Sequence, residues 1–152
     1  MALTIALALQ KAVEAHKVGS FQDAEALYRA ILQAQPKHPV ANHNLGLRAV
    51  SVNKQEAALP LFQIALEADP NQGQLWISYI DALIKEKQFY NASNVLEQGK
   101  KLGLAGDKIQ ALETQLTTFL LAQNSKSSFN KEISTFTRQY KKGSTQIEKR
   151  II

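Results

Sequence analysis

Histidines, amides and scattered acids are the residues of this chain that could do chemistry. Histidine occurs at His16, His38 and His43. No two of them stand four residues apart with an acid between, the spacing by which one helix face holds a zinc ion. Cysteine is absent, which excludes disulfide scaffolds, thiolate metal sites and cysteine nucleophiles and leaves the redox compartment open. The seven glycines are dispersed at turns, so no phosphate-binding loop is formed. No nucleophile, base and acid stand out as a set. Neither catalysis nor a cofactor is expected. Asn44 is different. It lies inside the run ANHNLGLRAV, Ala41 to Val50, directly before Leu45 and Gly46. An amide both donates and accepts hydrogen bonds. Gln10 and Ser78, 34 residues away on either side, are polar too.

A polar position that returns every 34 residues needs a structural unit of that length to carry it. The same interval separates Pro36 from Pro70, Gly19 from Asn53, Ala24 from Ala58, and Tyr28 from Phe62. One further step reaches Lys87, Ala92, Leu96 and Leu104. Ala12, Gly46 and Ile80 hold one register, and Ala8, Asn42 and Trp76 another. Small residues at 24, 58 and 92 suit a close approach of two helices, and Tyr28, Phe62 and Leu96, four residues later, fill the space beside it. Gly19 and Asn53 suit a left-handed turn between paired helices. Lys87 suits it less, and a looser turn is expected there. Pro36 and Pro70 discourage each second helix from running on. Pro60 falls in the first turns of its helix, a mild irregularity.

This period, with its small, aromatic and proline marks, resembles the tetratricopeptide repeat family, whose pattern is W-x2-L-G-x2-Y, then A-x3-F, then P. The second repeat matches best, with Leu45, Gly46, Ala58, Phe62, Ala65 and Pro70. The resemblance covers roughly residues 5–106 and implies an all-α, right-handed superhelix of helix-turn-helix repeats with a C-terminal capping helix. The repeats are expected at about 5–38, 39–72 and 73–106, with helices at roughly 3–18, 21–34, 39–52, 55–68, 73–86 and 89–101. Asp107 can cap a seventh helix, 107–123, whose Ile109, Leu112, Leu116, Phe119 and Leu120 form one apolar stripe. Repeats 1–123 then form one domain. Residues 124–152 are expected as a polar linker, AQNSKSS, followed by a basic amphipathic helix through Phe129, Ile133, Phe136 and Tyr140 that ends at Gly143.

Charge divides along the same line. Residues 1–123 carry eleven Lys/Arg and eleven Asp/Glu, whereas 124–152 carry seven against two, the whole of the net +5. A basic pI here belongs to the tail, so nucleic-acid binding by the repeats is not expected. For the tail, packing on its own chain or self-association is favoured over an anionic membrane surface, nucleic acid or disorder. The N-terminal run MALTIALALQKAV lacks a positive leader region and a small-residue cleavage site, so it is expected to open a helix and not to serve as a signal peptide. No apolar run approaches the roughly 18 residues of a membrane span. A cytoplasmic protein is expected.

In the family, the first helix of each repeat lines the concave face. The resemblance therefore implies a peptide-binding groove of Leu9, Gln10, Val13 and His16 from repeat one, with Lys17 beside them. His43, Asn44, Leu47 and Val50 follow from repeat two, flanked by Val40 and Ser51. Ile77, Ser78 and Asp81 follow from repeat three, with Gln74, Ile84 and Lys85. Asn44 looks like the ladder asparagine that grips a peptide backbone in O-linked N-acetylglucosamine transferases, here with Gln10 and Ser78 as the neighbouring rungs. The carboxylate clamp of chaperone-binding repeats would fall on Leu9, Val13, Asn44, Gln74 and Ser78, and only Asn44 agrees. The expected function is a non-catalytic scaffold that takes a peptide or helix in a fairly apolar groove. The alternative is the N-terminal arm of a multidomain glycosyltransferase- or sulfotransferase-like protein, suggested by AEALYRAILQAQPKHPVANHNLGL.

Overall fold

The protein is described by a computed structural model, with the backbone placed over residues 4–148 and side chains over residues 4–139. Among these residues there are helices and turns and no strand. The helices are α1 (Ile5–Lys17), α2 (Phe21–Ala34), α3 (Pro39–Ser51), α4 (Gln55–Ala68), α5 (Gly73–Lys85), α6 (Phe89–Lys101) and α7 (Asp107–Glu148). The first six follow the boundaries expected from the 34-residue period. None of the described helices is long and apolar enough to cross a membrane. The chain forms two compact units, residues 1–114 and 115–152.

In the first unit, each helix is paired with the next. Ala24, Ala58 and Ala92 are buried, as their contact position requires. Tyr28, Phe62 and Leu96 are buried one turn further along the same helices. Burying one such side chain contributes about 1.5–3 kcal/mol. The first core gathers Ala8, Ala12, Ala24, Tyr28, Ile31, Ala41 and Leu45. A second joins Ala58, Phe62 and Ala82, with Ala49, Val50, Leu59 and Tyr79 packed around it. Gly46 is required because a Cβ there would sit 2.5 Å from Cε1 of the Phe62 ring.

The turns between paired helices share one hydrogen-bond pattern. The backbone N–H groups of Ser20, Lys54 and Gln88 donate to the carbonyls of Ala15, Ala49 and Leu83 at 2.8, 2.8 and 2.9 Å. Each bond spans five residues and closes over a residue with positive φ, the Schellman ending of a helix. Those residues are Gly19 (φ 81°), Asn53 (58°) and Lys87 (58°). The looser turn expected at Lys87 does not occur: packing of α5 on α6 holds the lysine in the left-handed region.

A second bond recurs with the period. Asn42 Nδ2 donates to the Pro36 carbonyl at 3.0 Å, and Trp76 Nε1 donates to the Pro70 carbonyl at 2.8 Å. Two chemically different side chains at one register therefore hold each proline loop onto the helix that follows it.

Helix α7 departs from expectation at several points. Asp107 is its first residue and not its cap; Gly106 precedes it, and its carbonyl accepts from the N–H of Gln110 at 3.1 Å. Ile109 and Leu112 are buried, and Glu113 pairs with Lys100 of α6 at 2.5 Å, which ties the start of α7 to the third helix pair. The stretch read as a linker, AQNSKSS, is helical, and Gly143 lies within the helix. No proline or glycine interrupts residues 107–142. The hydroxyls of Ser125, Thr135 and Thr137 bond to carbonyls one turn back, which satisfies them inside a helix. Phe129, Ile133 and Phe136, expected to pack on their own chain or on a second copy, are exposed in the single chain; the side chain of Tyr140 lies outside the described residues.

Two substitutions test this packing. Lys87→Gly should relieve the left-handed strain and raise stability by up to about 1 kcal/mol, seen as a higher urea midpoint with an unchanged slope. The buried Tyr28 hydroxyl has no hydrogen-bond partner, and burial pushes its phenol above the ordinary value. Tyr28→Phe should therefore raise stability by up to about 1 kcal/mol, because it removes an unpaired polar group and keeps the ring. A destabilised Tyr28→Phe protein would mean that the hydroxyl is engaged.

Candidate functional site

The first helices α1, α3 and α5 carry the residues expected to form a groove. Only α3 and α5 are joined there by a direct polar contact. His43 Nε2 lies 2.9 Å from Ser78 Oγ. Gln74 Nε2 donates to the same hydroxyl at 3.3 Å. Ser78 thus has its O–H left to donate to a neutral imidazole. The His43 ring also leans on Phe62, with centroids 5.7 Å apart. Burial pushes the His43 imidazole below its ordinary value, which fits a neutral ring held between a core aromatic and a hydroxyl. The pair clasps two consecutive repeats.

The polar series Gln10, Asn44 and Ser78 takes three different environments. Gln10 is exposed and Asn44 half-buried. Ser78 is only 8% exposed, with its hydroxyl committed to His43 and Gln74. Asn44 Nδ2 donates to the Val40 carbonyl one turn back at 2.9 Å. That bond fixes the amide and leaves Oδ1 to accept. Sequence alone could not separate these environments, because the 34-residue spacing repeats backbone position and says nothing of what stands opposite each side chain.

The apolar members also divide. Leu47 is 37% exposed, and Leu9, Val13, Val50 and Ile77 are half-buried. Leu9, Gln10 and Val13 line one depression of about 510 Å³ on α1, with Ala6, Glu14 and Lys17. Val50 also packs against the Ala58–Phe62–Ala82 core. Ile84 is buried, so it belongs to the core and not to a groove wall. Asp81 is paired with Lys85 at 2.7 Å along the helix surface, an exposed pair that contributes about 0.3–0.5 kcal/mol at most.

The remaining histidines are structural. His38 caps α3, its Nδ1 accepting from the N–H of Ala41 at 3.3 Å. His16 meets the edge of Phe21 at 5.4 Å, and the Arg48 guanidinium lies 5.0 Å over that same ring. Among the described residues no three His, Cys, Asp or Glu come together as a metal site.

A recess the sequence did not single out lies between α2, α3 and α4. It holds about 900 Å³ and is lined by residues that include Glu25, Arg29, Leu45, Arg48, Ala49 and Leu61. A smaller one of about 480 Å³ lies one repeat on, with Leu59, Gln63, Tyr79, Leu83 and Val95 among its residues. These positions are each 34 residues from a counterpart in the first recess. The shared register was the available signal; it was hidden because the paired residues, such as Arg29 and Gln63, differ in chemistry.

The His43 clasp has a pH signature. Above the ordinary imidazole value of 6.5, His43 is neutral in the folded and unfolded chains alike and adds no pH dependence. Below it the unfolded chain takes up the proton more readily, so stability falls as pH drops from 6.5 through the lower folded value. His43→Leu should remove that component. Urea melts of the two proteins across mildly acid pH would show it as a shallower loss in the variant; parallel curves would mean that His43 does not carry the effect.

No family model matches the sequence, and no curated protein matches it. Solved structures do. The first TPR domain of Spaghetti (RPAP3), bound to the HSP90 peptide SRMEEVD, gives a TM-score of 0.68 at 15% identity and covers 77% of this chain and 93% of its own. The Sgt2 TPR domain from Aspergillus fumigatus gives 0.68 at 16%, with coverages of 80% and 82%. The Yersinia enterocolitica type III secretion chaperone SycD, in complex with a peptide of the translocator YopD, gives 0.63 at 15%, with coverages of 84% and 97%. Such identities establish likeness of fold. With its repeating turns, buried alanines and proline loops, this chain is an all-α helical-repeat protein with the tetratricopeptide fold.

Proposed function

We propose that the protein is a non-catalytic scaffold whose α1–α3–α5 face binds an extended peptide or a helix of a partner protein. The observation that carries this reading is the surface around Asn44. An exposed Leu47 lies one helical turn from Asn44, whose oriented amide keeps an acceptor oxygen. Such a surface can bury an apolar side chain while the amide bonds to a peptide N–H. Several proteins of similar fold are solved with peptides, namely those of HSP90, Hsp70 and a translocator. Leu9 and Val13 stand where the resemblance would require charged or amide clamp residues. The proposed ligand is therefore held by apolar contact and backbone bonds and not by a C-terminal carboxylate. The same face would serve if the chain is the recognition arm of a larger transferase.

Capture of partners by the purified protein, followed by mass spectrometry and titration with the peptide so found, tests the proposal. Asn44→Ala should weaken binding by about 0.5–1.5 kcal/mol without loss of fold. Leu47→Asp should cost more, since it puts an unpaired charge into the contact. Wild-type affinity in both variants would move the binding surface elsewhere, and the recess between α2 and α4 would be the next to examine.

A further inference from the structure

We infer that the second unit is a self-association element: the α7 helix of one copy pairs with α7 of a second copy along a heptad seam. Phe119, Ala122, Lys126, Phe129, Ile133 and Phe136 recur at spacings of three, four, three, four and three, the a/d pattern of helices that wind on one another. The helix is continuous through all of them. Phe129, Ile133 and Phe136 are 62%, 49% and 70% exposed. The segment is rich in Ser, Thr and Asn, which are weak helix formers, and a lone helix of this kind is marginal in water. Covering its apolar side would account for its persistence.

The geometry favours a helical partner over a membrane. Phe129, Ile133 and Phe136 occupy about 60° of the helix circumference, a narrow seam. An interfacial helix needs a broader apolar face. Lys131 and Arg138 lie on the side opposite the seam, where they would point away from a lipid surface that Phe129 and Phe136 had entered.

The charge pattern then favours a second copy. All of the net +5 falls in this unit, so two copies should repel if their cations met. Along the seam they do not, Lys126 excepted. The positions flanking the seam are Gln123, Ser125, Asn130, Glu132, Thr137 and Gln139, with one charge among the six. Two such faces can approach with Lys126 as the one cation between them. At about 150 Å² for each aromatic side chain, the apolar area of the pair is on the order of 1,000 Å², the lower range of specific interfaces. Lys126 interrupts the seam and keeps the association weak.

Light scattering and sedimentation of the full chain over a wide concentration range should show a mass rising toward twice 16.8 kDa. Ile133→Asp should abolish the rise while the repeat unit keeps its thermal transition. Arg138→Glu, on the far side, should leave it intact. Lys126→Leu should tighten it about tenfold or more. A monomer at every concentration, including for Lys126→Leu, overturns the inference. So does a dimer that Ile133→Asp leaves unchanged, or a monomer that sediments with phosphatidylserine vesicles, which would assign the seam to lipid.

Discussion

The close approach of paired helices is the constraint on which the repeat unit depends. At Ala24, Ala58 and Ala92 nothing larger than a methyl group stands between backbones. Gly46 is tighter still, with the Phe62 ring in the space a Cβ would take. Short separations allow one aromatic or leucine per repeat to fill the remaining volume. They also fix where the next helix must lie, since an interior at protein density has no slack to absorb an added methylene. Tyr28 shows the strength of this demand: its ring is accepted into the core although its hydroxyl finds no partner there.

That packing also dictates the local backbone. All three turns close with the same five-residue bond over a left-handed residue, although only Gly19 and Asn53 favour that conformation. Lys87 adopts it because Leu83 and Ala92, on either side of the turn, are held in the core. Tertiary burial worth several kcal/mol across a helix pair outweighs a strain of about 1–2 kcal/mol at one residue. The proline loops follow the same logic. Asn42 and Trp76 differ in size and chemistry, yet each supplies the N–H that its loop carbonyl lacks.

Helices α1, α3 and α5 then present what the core does not consume. His43 and Ser78 spend their polar groups on each other. Ile84 is taken into the interior. Leu47, Asn44, Gln10 and the half-buried Leu9 and Val13 are left on the surface, and they are the residues the proposed ligand would meet. The second unit uses a different principle. It has an apolar line along one helix, interrupted at Lys126, with Lys131 and Arg138 on the opposite side.

The 34-residue spacing of Pro36 and Pro70, of Ala24, Ala58 and Ala92, and of Gly19 and Asn53 determined six helices and their turns, because each mark is a local steric requirement. The charge division between the repeats and the tail was equally legible. The fate of the polar series Gln10, Asn44 and Ser78 was not. Whether a side chain in such a series is open depends on what another helix places against it, and Ser78 closed on His43 from 35 residues away. Helix α7 shows the opposite limit. AQNSKSS reads as a linker by composition, but composition gives only a weak preference. Back-bonded hydroxyls and the lack of any glycine or proline before Gly143 let the helix continue. Tertiary structure decided these points because burial and hydrogen bonding between distant segments exceed the fractions of a kcal/mol by which local sequence favours one backbone state over another.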